Sequence, residues 1–463
     1  MFKSKKILNK AISRTILRLG LVSVIFNVAI LLAYSMLSPW ITVILQLLYI
    51  VLILKLALVM FSVKQSLLIL MILLVPISFI SVLGTGYEEL PLSWFFVIEW
   101  ALLVTILAKG PVHKGALLSF LLLVCFGVLS LLQVENLWSA LKQLLGIVLF
   151  LPAFIIGFNF YREGSKEYLY EVLKSSYIIA ALAFAASIIV QYISNSFFGI
   201  EVGYMNTYAL DRVSYAALMH DFSFASLFLT SATILALFAY ARYEQNKFWR
   251  LAMILAVLMY ALVIVNARTG LIALVAGTLL WIIYGTFRGS RRVIISSFML
   301  ILALVVIANA IYLNRGEQPL LDSSNRDVAY VSSFTTFINN PLIGIGLGDE
   351  NFAKYVGDTP LPHNFFIQYL LQTGIIGLGL ILLNFAILFK VRIKNDPGAF
   401  TALLCVFVGA LFIPDILDSR YLQVLIIIAM IGATNSLSKK YSVVQENALN
   451  QLDSSSNYLK NLK

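Results

Sequence analysis

Fourteen apolar segments, separated by mostly short polar connections, constrain this 463-residue chain more than any other feature. They run over 19–37, 40–62, 66–84, 90–108, 115–134, 139–160, 170–193, 219–241, 249–266, 269–287, 292–313, 364–389, 400–416 and 420–436. About 20 apolar residues in a row span a bilayer as one helix. Lipid offers no partner for backbone N–H and C=O groups, so the segments read as helices, which satisfy their own. Composition agrees, with 61% hydrophobic and 12% charged residues and a mean hydropathy of +0.93. A soluble domain carries about 25% charged residues. Half that amount cannot cover a soluble body of this size, so a soluble enzyme is excluded. The expected fold is an all-α polytopic membrane protein of about 14 transmembrane helices.

The formal charge of +11 invites a nucleic-acid reading, but its distribution favours topology. With the N-terminus inside, 25 of the 33 Lys and Arg residues lie on the cytoplasmic side or its boundary, and 14 of the 22 Asp and Glu residues lie outside. Cationic loops stay in the cytoplasm, so the excess charge calls for no nucleic acid. Expected organisation follows: a basic cytoplasmic N-terminus over 1–18, read as a retained anchor, a transmembrane domain over 19–436, and a disordered cytoplasmic tail over 437–463. Two extracytoplasmic loops, 194–218 and 314–363, are long enough to hold machinery. The second contains a short amphipathic helix, Asp327–Ile338, that should stop at Asn339-Asn340-Pro341. Cys125 and Cys405 both sit in apolar runs, which leaves no disulfide framework and no cysteine metal site.

Five of the six outer cations are arginine: Arg212, Arg268, Arg315, Arg326 and Arg420. Guanidinium binds phosphate or carboxylate through a rigid fork, so arginine on the side where cations are disfavoured points to anion binding. Pairing with outer carboxylates is the competing reading, favoured for Arg315 beside Glu317. Arg268, in the tight hinge Asn266-Ala267-Arg268-Thr269-Gly270, sits at the membrane boundary and suits a lipid diphosphate, with snorkelling as the alternative. Of three histidines, His113 reads as solvated, while His220 and His363 stand at helix starts on the outer side. Imidazole titrates near neutral pH and is the default base for activating a hydroxyl.

The segment Pro341-Leu342-Ile343-Gly344-Ile345-Gly346-Leu347-Gly348 could cradle phosphate with its amides or make a tight packing turn. It lacks the Gly-Lys-Ser/Thr ending of a nucleotide loop. No zinc helix or serine elbow is present and no acidic cluster has obvious metal spacing, although Asp349/Glu350 and Asp415/Asp418 leave a cation as an alternative. Lys55, Glu99 and Lys142 fall within spans and need partners; Glu99 with Lys142 is the expected pair.

Three stretches together carry a resemblance: the Asn266–Gly270 hinge; Arg326 about fifteen residues before the glycine segment; and His363-Asn364-Phe365-Phe366-Ile367-Gln368 followed by Leu371-Gln372-Thr373-Gly374-Ile375-Ile376-Gly377. From roughly Arg212 to Leu388 the chain resembles the O-antigen ligase/polymerase family of bacterial envelope glycosyltransferases. The amino-terminal half resembles it in hydropathy only. The resemblance implies a GT-C-like fold and transfer of glycan from an undecaprenyl diphosphate-linked oligosaccharide to an acceptor glycan or glycolipid. The reaction would occur on the extracytoplasmic face of the bacterial inner membrane, with both termini cytoplasmic.

Carried over, Arg268 matches the arginine of the family's Ser-Arg-Thr/Ser-Gly motif, with Ala267 in place of the serine. Arg326 matches the arginine heading the loop helix, and His363 matches the histidine of the His-Asn motif. Arg212 resembles the arginine before the eighth span, although the usual Pro-Asn is absent and His220-Asp221 stands nearby. The implied catalytic residues are His363, Arg268 and Arg326, and the implied diphosphate ligands are Arg212, Arg268, Arg326 and Arg420, the last by location alone. His220, Asn364 and Asp327 are additional candidates, with Asp327 or Asp349 an alternative proton acceptor. No metal and no cofactor are implied, and a chain-length regulator is a further expected partner. Fourteen spans favour polymerisation of repeat units. Ligation to lipid A-core is the alternative, and a lipid-linked oligosaccharide flippase is the alternative of another class.

Overall fold

The computed structural model describes residues 2–432 except 87–88, 109–113, 164–166, 209–211, 243–247, 289–290, 314–325, 357–361 and 391–395. The tail over 437–463, His113, Arg315 and Glu317 therefore lie outside the described residues. Each of the fourteen apolar segments carries a helix. In chain order these are α1 (Phe2–Met36), α2 (Pro39–Leu58), α3 (Val63–Leu73), α4 (Trp94–Leu107), α5 (Lys114–Ser130), α6 (Leu137–Glu163) and α7 (Glu167–Phe198). They continue with α8 (Phe222–Arg242), α9 (Phe248–Val265), α10 (Arg268–Arg288) and α11 (Arg291–Leu313). Loop helices α12 (Arg326–Asn339) and α13 (Asp349–Val356) precede α14 (Phe365–Lys390), α15 (Pro397–Ala410) and α16 (Arg420–Gly432).

Among the described residues, six helices are long and apolar enough to cross a membrane, and eight further apolar helices are shorter. The chain is a multi-pass membrane protein. The segment 66–84 departs most from expectation. Pro76 has no N–H to continue α3, so the chain passes into a 3₁₀ turn, Val75–Ile77, and a bridge between Ile80 and Gly86.

The all-α expectation also needs correction. The connection over 194–218 holds an antiparallel hairpin, β1 (Met205–Tyr208) with β2 (Arg212–Tyr215), in the register Met205 opposite Tyr215 and Tyr208 opposite Arg212. Gln191 of α7 fixes it, donating to the carbonyls of Val202 (2.5 Å) and Tyr204 (2.9 Å) and accepting from the amide of Ala217 (2.7 Å). In the other loop, α12 matches the expected helix to within a residue at each end.

Helix α8 is the hub, buried over most of its length and packed against α7, α9, α10 and α15. Small residues let these helices approach, the usual means of packing where lipid removes the hydrophobic drive. Thr230 donates to the carbonyl of Gly270 at 3.2 Å. A methyl group on Gly270 would lie 2.5 Å from Ser226 Cβ.

Helix α14 breaks at Gly374, which has φ 64° and ψ −171°. The break exposes backbone groups, and the segment 341–348 supplies their partners. Ile375 and Ile376 donate to the carbonyls of Pro341 (2.9 Å) and Leu342 (3.2 Å), while Ile345 and Gly346 donate to those of Leu371 (3.1 Å) and Gln372 (2.8 Å). A Cβ at Gly374 would stand 2.2 Å from the carbonyl oxygen of Leu342, so glycine is needed for both the dihedrals and the contact.

Candidate active site

Two of the helix starts that sequence singled out are held side by side. Asn266 ends the turn after α9 in the left-handed region, φ 57°, which reverses the chain so that α10 begins at Arg268. Thr269 then donates to the hydroxyl of Ser223, at the start of α8, over 3.3 Å. Asp221 caps that same helix, accepting from the amide of Phe224 at 2.8 Å. The half-buried Arg268 therefore stands at the end of the bundle where Asp221 does.

Asp221 lies within electrostatic reach of His220 and His363. Desolvation raises its carboxyl above the usual range, and the capping amides and both imidazoles oppose that rise. His220 is exposed and stacks edge-on against Tyr204, with ring centroids 5.0 Å apart. His363 is exposed just before α14, and its carbonyl accepts from Tyr330 at 3.4 Å. Tyr330 lies one turn into the helix that opens at Arg326, so α12 is tethered to the histidine. Arg212 lies on β2, and Arg326 and Asp327 open α12; their side chains lie outside the described residues.

Two candidates have other duties. Asn364 is the N-cap of α14, its Oδ1 accepting from the amides of Phe366 (3.0 Å) and Ile367 (3.1 Å). Arg420 is 0% exposed. Its guanidinium lies 4.3 Å from the Phe79 ring centroid and 5.0 Å from that of Phe96, and forms a 3.2 Å ion pair with Asp418. A cation so enclosed by two rings and a carboxylate has no face open to a bound diphosphate, which corrects the reading by location. The intramembrane pair is corrected too. Glu99 is fully buried within electrostatic reach of Arg420, whereas Lys142 lies over the Trp138 ring at 5.7 Å.

From Gly344 onward the glycine segment acts as a packing device, its amides committed to the fold. From Gly344 to Gly348 each N–H is used, donating in turn to the carbonyls of Asn340, Leu371, Gln372 and Ser130 and to the side chain of Gln143.

Behind this segment lies a polar network that residue typing missed. Asp415, held at φ 47°, accepts from the Tyr369 hydroxyl at 2.6 Å and from the Gln143 amide at 3.1 Å. Its own amide donates to Gln368 at 3.0 Å. Gln143 in turn pairs with Gln372 at 3.0 Å. Burial pushes the Asp415 carboxyl up to about 6, with Tyr369 and Gln143 opposing and Asp418 and Asp349 adding to the rise. Gln368 and Gln372, one turn apart on a mostly apolar helix, were the available signal.

Residues 251–382 match the family model described as O-antigen ligase. Over that stretch the chain is similar to the O-antigen ligase family. The matched stretch runs from α9 into α14 and contains Arg268, Arg326, the glycine segment and His363. The matched family implies glycosyl transfer of the O-antigen ligase/polymerase type. A search of curated proteins gives no match. Arg212, His220, Asp221 and Arg420 lie outside the matched residues, yet Asp221 and His220 border the site because α8 packs on α10.

Proposed function

We propose that this protein polymerises lipid-linked glycan repeat units, moving a glycan from an undecaprenyl diphosphate-linked donor to a sugar hydroxyl on the extracytoplasmic face of the bacterial inner membrane. The observation that carries this reading is the meeting of Arg268, Asp221, His220 and His363 at one end of the bundle, with α12 tethered to His363 by Tyr330. Arg268, with Arg326 and Arg212, holds the diphosphate and stabilises the charge that grows on it. The acceptor oxygen attacks the anomeric carbon from the face opposite the diphosphate, the bond from that carbon to the diphosphate oxygen breaks, and configuration inverts. The hydroxyl proton passes to His363, and undecaprenyl diphosphate leaves. In this scheme no cofactor or metal takes part.

The same reading makes residues 19–436 a GT-C-like catalytic unit of fourteen crossings, with 1–18 and 437–463 in the cytoplasm and a chain-length regulator as partner. Ligation to lipid A-core uses the same chemistry with a different acceptor. Purified protein in nanodiscs, given an undecaprenyl diphosphate-linked oligosaccharide alone, should yield a ladder of repeats and free undecaprenyl diphosphate. Transfer only after lipid A-core is added would make it a ligase. No transfer with either acceptor would return the chain to the transporter reading.

A further inference from the structure

An open cleft of about 440 Å³ lies beside the site, well within the size range of ligand-binding clefts. Three separated parts of the chain wall it: Tyr34 and Ser35 at the end of α1, Thr85 and Glu89 in the loop before α4, and Glu201 on the way into the hairpin. Its walls are tied to one another. The amide of Gly203 donates to the Ser35 hydroxyl at 2.7 Å, and the hydroxyls of Tyr34 and Tyr204 are 2.9 Å apart. The hydroxyls of Ser81 and Thr85 are also 2.9 Å apart. Tyr204 continues into the edge-on contact with His220, so the cleft opens next to that imidazole.

The lining is selective. It offers hydroxyls, an aromatic residue and the two exposed carboxylates of Glu89 and Glu201, and among the described residues no Lys, Arg or His lines it. Such a surface has nothing to hold a diphosphate. Carboxylates accept hydrogen bonds from ligand hydroxyls and attract ammonium groups, and they repel other carboxylates. We propose that this cleft is a glycan subsite that accepts neutral or amine-bearing sugars and rejects uronate-bearing ones. The proposal rests on the glycosyl-transfer reading for its purpose, and its test is independent of turnover.

The full-length protein in nanodiscs is applied to an array of lipid-free bacterial oligosaccharides in three groups: neutral, amine-bearing and uronate-bearing. Retention on the neutral or amine-bearing groups should exceed that on uronates about tenfold or more. The double variant Glu89→Gln/Glu201→Gln, checked for folding by its size-exclusion profile, should lose that discrimination. It should also bind the preferred group about tenfold more weakly. Retention on no group, a preference for uronates, or an unchanged pattern in the double variant would overturn the subsite. The expected array pattern from a protein that transfers no glycan would uphold the subsite and overturn the glycosyl-transfer reading instead.

Discussion

The hydroxyl of Thr269 lies 3.3 Å from that of Ser223, which fixes the first turn of α10 against the first turn of α8. Arg268 precedes the one residue, and Asp221 stands two before the other. A single contact thus holds the helix start that carries Arg268, within the matched residues, against the one capped by Asp221, outside them.

If Arg268 carries the diphosphate, Arg268→Ala should lower glycosyl transfer about 100-fold or more, the scale of losing one preorganised charge-stabilising group. The half-buried side chain contributes little packing, so the size-exclusion profile and unfolding temperature should stay near wild type. Transfer near the wild-type rate would remove the diphosphate clamp.

Gly270→Ala tests the helix contact without touching a charge. The added methyl meets Ser226 at 2.5 Å, so α10 must shift away from α8, at about 1–3 kcal/mol. Thermal unfolding should drop and transfer should fall with it, because Arg268 moves. Gly379→Ala is the control, since a Cβ there meets nothing within 4 Å. An unfolding temperature for Gly270→Ala equal to that of the control would contradict the packing.

His363 and Asn364 should separate chemistry from folding. His363→Ala should remove the neutral-range inflection from the pH–rate profile, because imidazole is the group that titrates there. Asn364→Ala should leave the profile's shape intact while costing about 1 kcal/mol of stability through the lost cap of α14. A wild-type profile from His363→Ala would rule that residue out as the base.

Asp415 predicts a pH-dependent stability. Its carboxyl titrates at about 6 in the folded protein and in the usual lower range when unfolded. Between those values only the folded state holds the proton. The contribution is therefore full at low pH and is lost as pH rises through about 6. Asp415→Asn should flatten the fall in unfolding temperature between about pH 4.5 and about pH 7.5. Asp396, raised to about 7 by burial, keeps a residual slope of the same sign in that variant. An unchanged slope would show that Asp415 is not desolvated.

The sequence by itself determined the apolar helices, because a bilayer leaves the backbone no other partner and hydropathy is local. It also located α12, bounded by Asn340 and Pro341, and it singled out Arg268 and His363 by residue type at helix starts. Contact between distant segments was beyond it. Gly344 reads equally as a phosphate-cradle or a packing glycine until α14 is seen to break at Gly374, where 341–348 can mend it. Arg420 looks like an anion ligand until Phe79 and Phe96 close on it from other parts of the chain. Asp221 looks like an ordinary cap until α8 meets α10. In each case hydrogen-bond satisfaction or burial depends on which surfaces meet, and only the tertiary structure decides that.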